Sequence, residues 1–154
     1  MLLRCKTPVN AAAETVFACV DRPEHIIQWV EGAVEHTYVS DRDPADPVGQ
    51  RFRQRLRMGK SIKEFYGEII AWKAPTHFGL RIPSPAYSSE AHFRILPVGS
   101  TRSTVDYSID VTLHKSFIRM LSPLMRVPLT FFVRKQIGRL KTYAEKVQSD
   151  KEAL

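Results

Sequence analysis

A chain of 154 residues, 44% hydrophobic and 25% charged, has the make-up of an ordinary globular protein with room for a substantial core. Its net charge of +7 permits attraction to anionic lipid, nucleic acid or acidic ligands and says nothing about fold. No uncharged apolar run reaches the roughly 18 residues of a membrane-crossing helix, and Arg4 and Lys6 fall where a signal peptide needs its apolar region.

The chain is therefore expected to start at Met1 and to stay in the cytoplasm, as one domain over residues 1–148 with a frayed tail at 149–154. Cys5 and Cys19 show neither metal-ligand spacing nor a disulfide framework and read as free, buried thiols.

Leu2 to Thr7 alternates Leu3, Cys5 and Thr7 against Leu2, Arg4 and Lys6, a first strand with one wet face that Pro8 ends. Asn10 is placed to cap a helix over Ala11 to Val20, with Glu14 near its start. Pro23 suits the first turn of a second short helix that ends at Trp29. A strand from Val34 to Val39 follows, then a turn-rich loop from Ser40 to Pro47.

Arg51 to Met58 alternates strictly, with Arg51, Arg53, Arg55 and Arg57 on one face and Phe52, Gln54, Leu56 and Met58 on the other. A Gly59-Lys60 turn into a strand from Ser61 to about Trp72 would pair Met58 with Ser61, Arg55 with Glu64, Arg53 with Tyr66 and Arg51 with Glu68. Opposite charges across strands contribute about 0.2–1 kcal/mol each, so the arginine stripe reads as a solvated, salt-bridged outer face rather than a nucleic-acid surface. That pairing leaves Ile62, Ile70 and Trp72 outward unless a bulge near Ile69-Ile70 intervenes.

Further strands carry Phe78, Leu80 and Ile82, then Tyr87 to Leu96, then Ser103 to Leu113. A turn at Val98-Gly99-Ser100 would set His92 opposite Asp106.

The stretch from Phe117 to Val147 completes the chain. Val133, Ile137, Leu140, Ala144 and Val147 fall at steps of four, three, four and three, one stripe of a long helix that needs a large apolar partner. Ser122-Pro123 suits an N-cap and first-turn proline, and Pro128 should kink the helix or delay its start. One strand, two helices, six strands and a long helix make an α+β fold.

That order, with particular landmarks, resembles the START-like or SRPBCC superfamily, in its polyketide cyclase/dehydrase and lipid-transport branch. The landmarks are Pro8-Val9-Asn10-Ala11, Val16-Phe17-Ala18, Asp21 and Trp29, then Gly49-Gln50-Arg51-Phe52 and Gly67 through Pro75. Phe93 to Pro97 before Gly99-Ser100-Thr101-Arg102, and Leu140 to Glu145, complete them. The resemblance implies a helix-grip fold, a curved seven-stranded antiparallel sheet wrapped around the last helix with a cavity between them. It also implies binding of a hydrophobic small molecule, lipid or polyketide-like; separately, no cofactor and no nucleic-acid partner are expected. A cyclase, aromatase or dehydratase acting in the same cavity, and a non-enzymatic module like chaperone-ATPase activators, stay open beside it.

Inward positions taken from the alternation are Phe52, Gln54, Leu56, Phe65, Phe78, Leu80, Phe93, Val105, Tyr107 and Ile109. Phe132 and Gln136 on the helix, and Trp29, join them as ligand-binding candidates. Each apolar one reads equally as core. Gln54, Tyr107 and Gln136 are polar groups that need partners, whether in the core or on a ligand.

Catalytic signals are sparse: no G-x-S-x-G, no His-Glu-x-x-His, no glycine-rich phosphate loop, and five histidines without ligand spacing. Tyr107 is the best acid–base candidate, with Lys63 near the rim. The apolar segment from Phe117 to Met125 has three readings: a cavity entrance, a homodimer contact, or a membrane-surface segment helped by Arg119 and Arg126.

Overall fold

Strict alternation builds seven strands, and the long stripe builds the helix they wrap. The structure is a computed structural model that describes residues 1–120 and 122–154, with Phe117 and Ile118 described in backbone alone. The elements are β1 (Leu2–Val9), α1 (Ala13–Asp21), α2 (Pro23–Trp29), β2 (Ala33–Tyr38), β3 (Arg51–Met58), β4 (Ser61–Lys73), β5 (His77–Ile82), β6 (Tyr87–Pro97), β7 (Ser103–Leu113), α3 (Ser116–Met120) and α4 (Ser122–Glu152). One antiparallel sheet runs in the order β1-β7-β6-β5-β4-β3-β2, so β2 to β7 are sequential neighbours and β1 closes onto β7. This is the helix-grip arrangement.

Val133, Ile137, Leu140 and Ala144 of α4 are buried, and Val147 is packed at their edge. They share one core with Leu3, Ile69, Phe78, Phe93, Ile95 and Val105 from the sheet and with Val16, Phe17 and Val20 from α1. Complete burial of a leucine such as Leu140 contributes about 1.5–3 kcal/mol.

The β3–β4 hairpin has the register that its charges require: Met58 pairs with Ser61, Arg55 with Glu64, Arg53 with Tyr66 and Arg51 with Glu68. Its outer face is an ion-pair lattice in which Arg53 meets Glu35 at 2.6 Å and Arg55 reaches Glu35 at 3.5 Å. Glu68 pairs with Arg81 of β5 at 3.1 Å instead of with Arg51 opposite it. The β4–β5 register shifts between Ile69 and Ala71, a bulge that buries Ile69 completely and still returns Trp72 to the core side. There the Trp72 ring meets Phe17 edge-on at 5.5 Å.

Four expectations need correction. Pro8 does not end β1, which continues to Val9; β1 is an edge strand, where a residue without an N–H is tolerated. Helix α1 begins at Ala13 without a side-chain cap, because residues from the far end of α4 take that role. Glu145 accepts from the Asn10 N–H at 2.8 Å, and Gln148 accepts from the Ala12 N–H at 3.1 Å.

The β6–β7 loop is longer than a three-residue turn and is closed by Val98 N–H donating to the Arg102 carbonyl at 2.9 Å. The register is therefore two residues away: His92 faces Ser108, and Asp106 faces Arg94. Finally, the start of α4 is not delayed by Pro128: the helix begins at Ser122 and runs to Glu152, into the stretch expected as a tail. Pro128 lies nearly two turns into the helix, and Lys151 ties the helix end to the Thr15 hydroxyl at 3.2 Å.

A hydrophobic cavity under the last helix

Between α4 and the concave face of the sheet lies a cavity of about 570 Å³. Alternation on three strands supplies its floor: Phe52, Gln54 and Leu56 from β3, Phe78, Leu80 and Ile82 from β5, and Ser89, Ala91 and Phe93 from β6. Tyr107 and Ile109 of β7 continue it, and Trp29, Phe132, Gln136 and Ile137 cover it from the helices. The exposed residues Glu31, Arg57, Met58, Gly59 and Phe132 mark its mouth, between the end of α2, the β3–β4 turn and the first half of α4.

Of the expected ligand-binding residues, the structure brings Trp29, Phe52, Gln54, Leu56, Phe78, Leu80, Phe93, Tyr107, Ile109, Phe132 and Gln136 to this one surface. Phe65 and Val105 are not on it. Phe65 has the expected partner, Gln54, but β4 is exposed on both faces from Ser61 to Glu64 and only half covered at Phe65, so this end of the hairpin lies outside the packed layer. Val105, two residues before Tyr107 on β7, pairs with Ile95 of β6, and both are fully buried in the solid core. Lys63 does not reach the cavity either.

Aromatic packing fixes the walls. Phe93 stands between Trp29, edge-on at 6.3 Å, and Tyr107, tilted at 4.8 Å. The Trp29 indole N–H donates to the Cys19 carbonyl at 2.8 Å, and Arg139 donates to the Trp29 carbonyl at 2.7 Å, which holds the α2 end beneath α4. Gly67 leaves room for the Phe52 ring: a Cβ there would strike that ring and the Arg81 carbonyl. Cys5 and Cys19 are both free, and burial pushes the Cys19 thiol up to about 12.

Among the cavity residues that escaped the sequence reading, the two with ring polar groups are His36 and Tyr38 of β2. They sit opposite Gln54 and Phe52, so carrying the inward face of β3 one strand further would have found them. His36 stacks on Phe52 at 4.9 Å, and burial pushes its imidazole down to about 4, so it is neutral at pH 7. Among the described residues its Nδ1 is buried without a hydrogen-bond partner.

The Tyr38 hydroxyl is already engaged by the Asp21 carbonyl. The Asp21 carboxylate takes both of its close bonds from Arg42, at 2.8 and 2.9 Å, and a longer one from Trp72 at 3.4 Å. Burial, reinforced by the negative Asp21, pushes the Tyr38 phenol upward. The Tyr107 phenol is also pushed upward by burial, so it stays a neutral donor.

Among the described residues, the only carboxylate, lysine or arginine side chains on the cavity are Glu31 and Arg57, both exposed at the mouth. No group of histidine, cysteine and carboxylate side chains there could hold a metal ion. No described helix is long and apolar enough to cross a membrane. Of the Phe117–Met125 segment, Leu121 and the side chains of Phe117 and Ile118 lie outside the described residues.

The seven-stranded sheet, gripped helix and intervening cavity define a START-like, or SRPBCC, protein. Residues 4–145 match the family described as polyketide cyclase / dehydrase and lipid transport, and the chain belongs to that family. No curated protein sequence matches it. Among solved structures it is similar to a START superfamily protein from Mycobacterium smegmatis, at 14% identity and a TM-score of 0.73, with 97% of each chain covered. Norcoclaurine synthase from Thalictrum flavum superposes at 13% identity and a TM-score of 0.65, covering 95% of this chain and 94% of that one. The di-domain ARO/CYC BexL of the BE-7585A biosynthetic pathway does so at 16% identity and 0.68, over 94% of this chain and 50% of its own. At these identities the likeness is one of fold.

Proposed function

We propose that this protein binds an uncharged, largely apolar small molecule, lipid or polyketide-like, in the cavity beneath α4. The observation that carries this reading is the pairing of an aromatic-walled cavity of about 570 Å³ with a lining whose charged groups, Glu31 and Arg57, sit at its mouth. Volumes of roughly 300–1,000 Å³ suit ligands of drug size, and a few polar groups in an apolar wall set their orientation. Gln54, Tyr107 and the unpartnered His36 Nδ1 are those groups here. An ionised headgroup inside would have to be desolvated without a counter-charge, so a charged end belongs at Glu31 and Arg57.

The test is a cavity-filling variant. Ala91 is buried on the floor, and Ala91→Trp should abolish binding of the neutral dye Nile red while the far-UV spectrum is kept. Native mass spectrometry of protein from its own host should show a co-purified small molecule. Absence of both dye binding and a co-purified ligand would defeat the proposal.

A second reading, cyclase- or dehydratase-type chemistry in the same cavity, is favoured by one observation. A neutral imidazole able to accept a proton bond, His36, shares the wall with a neutral phenol able to donate one, Tyr107. Under that reading Tyr107→Phe lowers turnover of a polyketide-like substrate while leaving its affinity largely intact. Equal turnover would remove Tyr107 from the chemistry.

A further inference from the structure

On the outer face of α4, Leu124, Val127 and Phe131 are 75%, 77% and 72% exposed, at steps of three and four that put them on one stripe. Met120 of α3, 80% exposed, precedes them. Buried residues of α4 begin at Val133, so this stripe is apolar surface with nothing from the described residues over it. Scattered exposed leucines are ordinary, but a row of four large apolar side chains on one short stretch is not. Past Phe131 the outward side of the helix carries exposed Arg134 and Arg139, together with Lys135, which pairs with Glu31 at 3.1 Å.

Charge decides what can cover it. Between Asp110 and Glu145 the sequence has no acidic residue and seven basic ones, from Lys115 to Lys141. A two-fold contact with a second copy would set this basic surface against itself, and like charges across an interface oppose association. A surface dense in anions, with hydrocarbon below it, complements both features at once. The stripe is also continuous with the cavity mouth, since Phe132 follows Phe131 and lines the cavity.

We propose that Met120 and the Leu124–Val127–Phe131 face of α4 form a docking surface for an anionic membrane. The apolar side chains enter the headgroup–acyl boundary, and the flanking arginines and lysines engage lipid phosphates and carboxylates. Docking sets the mouth of the cavity at Phe132 against the bilayer. Because it needs the surface alone, the docking stands or fails separately from occupancy of the cavity.

The experiment is flotation of the full chain with vesicles of phosphatidylcholine, with and without phosphatidylserine. The protein should float with the anionic vesicles only and be released as salt is raised. Phe131→Ser and Leu124→Ser, both on exposed positions and therefore compatible with folding, should each weaken the partition about tenfold, while Nile red binding to the cavity is kept. Failure to float with either vesicle would overturn the proposal. So would equal binding to both vesicles with no effect of Phe131→Ser, or a dimer in sedimentation velocity that Phe131→Ser dissociates in protein that ignores vesicles.

Discussion

From Val133 to Val147 the last helix presses its apolar side chains into the sheet at steps of four, three, four and three. From Leu124 to Phe131, the same helix turns leucine, valine and phenylalanine outward. The residue types are alike, so hydrophobicity alone does not separate the two stretches. Cover does: the second stretch shares its core with α1, β1 and the middle of the sheet, while the first lies beside only the start of β1 and the end of β7 and keeps its outer side chains bare. An apolar stripe on a helix shows that something must meet it. It does not show that the partner belongs to the same chain.

The largest expected contrast is in stability. Leu140 is completely buried, and Leu140→Ala should cost about 3 kcal/mol in urea-induced unfolding, within the range seen for leucine truncation in packed cores. Leu124→Ala should fall within about 0.5 kcal/mol of the parent. Equal losses for the two would mean that the first stretch is as structural as the second.

The cavity wall should differ from the solid core in its response to acid. Folded His36 titrates at about 4, whereas an unfolded histidine titrates near its ordinary 6.5. Between these values the unfolded chain holds the extra proton, so stability rises with pH. The neutral imidazole's contribution is complete above about pH 6.5 and is lost as pH falls toward 4, on the order of 3 kcal/mol in all. His36→Gln should flatten that part of the stability profile, measured by urea unfolding at intervals across it. An unchanged slope would show that His36 is solvated and titrates normally.

Which parts of this were legible beforehand follows from the range of the interactions concerned. The β3–β4 register could be read because arginines and glutamates alternate at fixed offsets from a two-residue turn, and local charge pairing fixed the answer. The bulge at Ile70 could be read because both Ile69 and Trp72 had to be sheltered. The start of α1 could not, since its caps are Glu145 and Gln148, more than a hundred residues away in sequence.

The β6–β7 register was out of reach for a local reason: a three-residue loop centred on Gly99 and a five-residue loop centred on Ser100 both satisfy the alternation, and only the Val98–Arg102 closure chooses. At the cavity, facing was legible and depth was not. Phe65 and Val105 point to the correct side of the sheet, yet one lies beyond the covered layer and the other where α4 packs without a gap.

The smallest effects separate the two roles of the mouth. Phe131 and Phe132 are adjacent and both exposed, but Phe132 lines the cavity and Phe131 does not. Phe132→Ala should weaken Nile red binding by roughly threefold to tenfold, since part of one aromatic ring leaves the ligand's wall. Phe131→Ala should leave dye affinity unchanged and weaken flotation with anionic vesicles instead. Neither should shift the melting temperature by more than about 2–3 °C, because neither side chain belongs to the buried core. If each variant lowered both readouts to the same degree, entry and docking would be one event made by one patch, and the division of α4 into a gripped stretch and a lipid-facing one would need a third, shared segment between them.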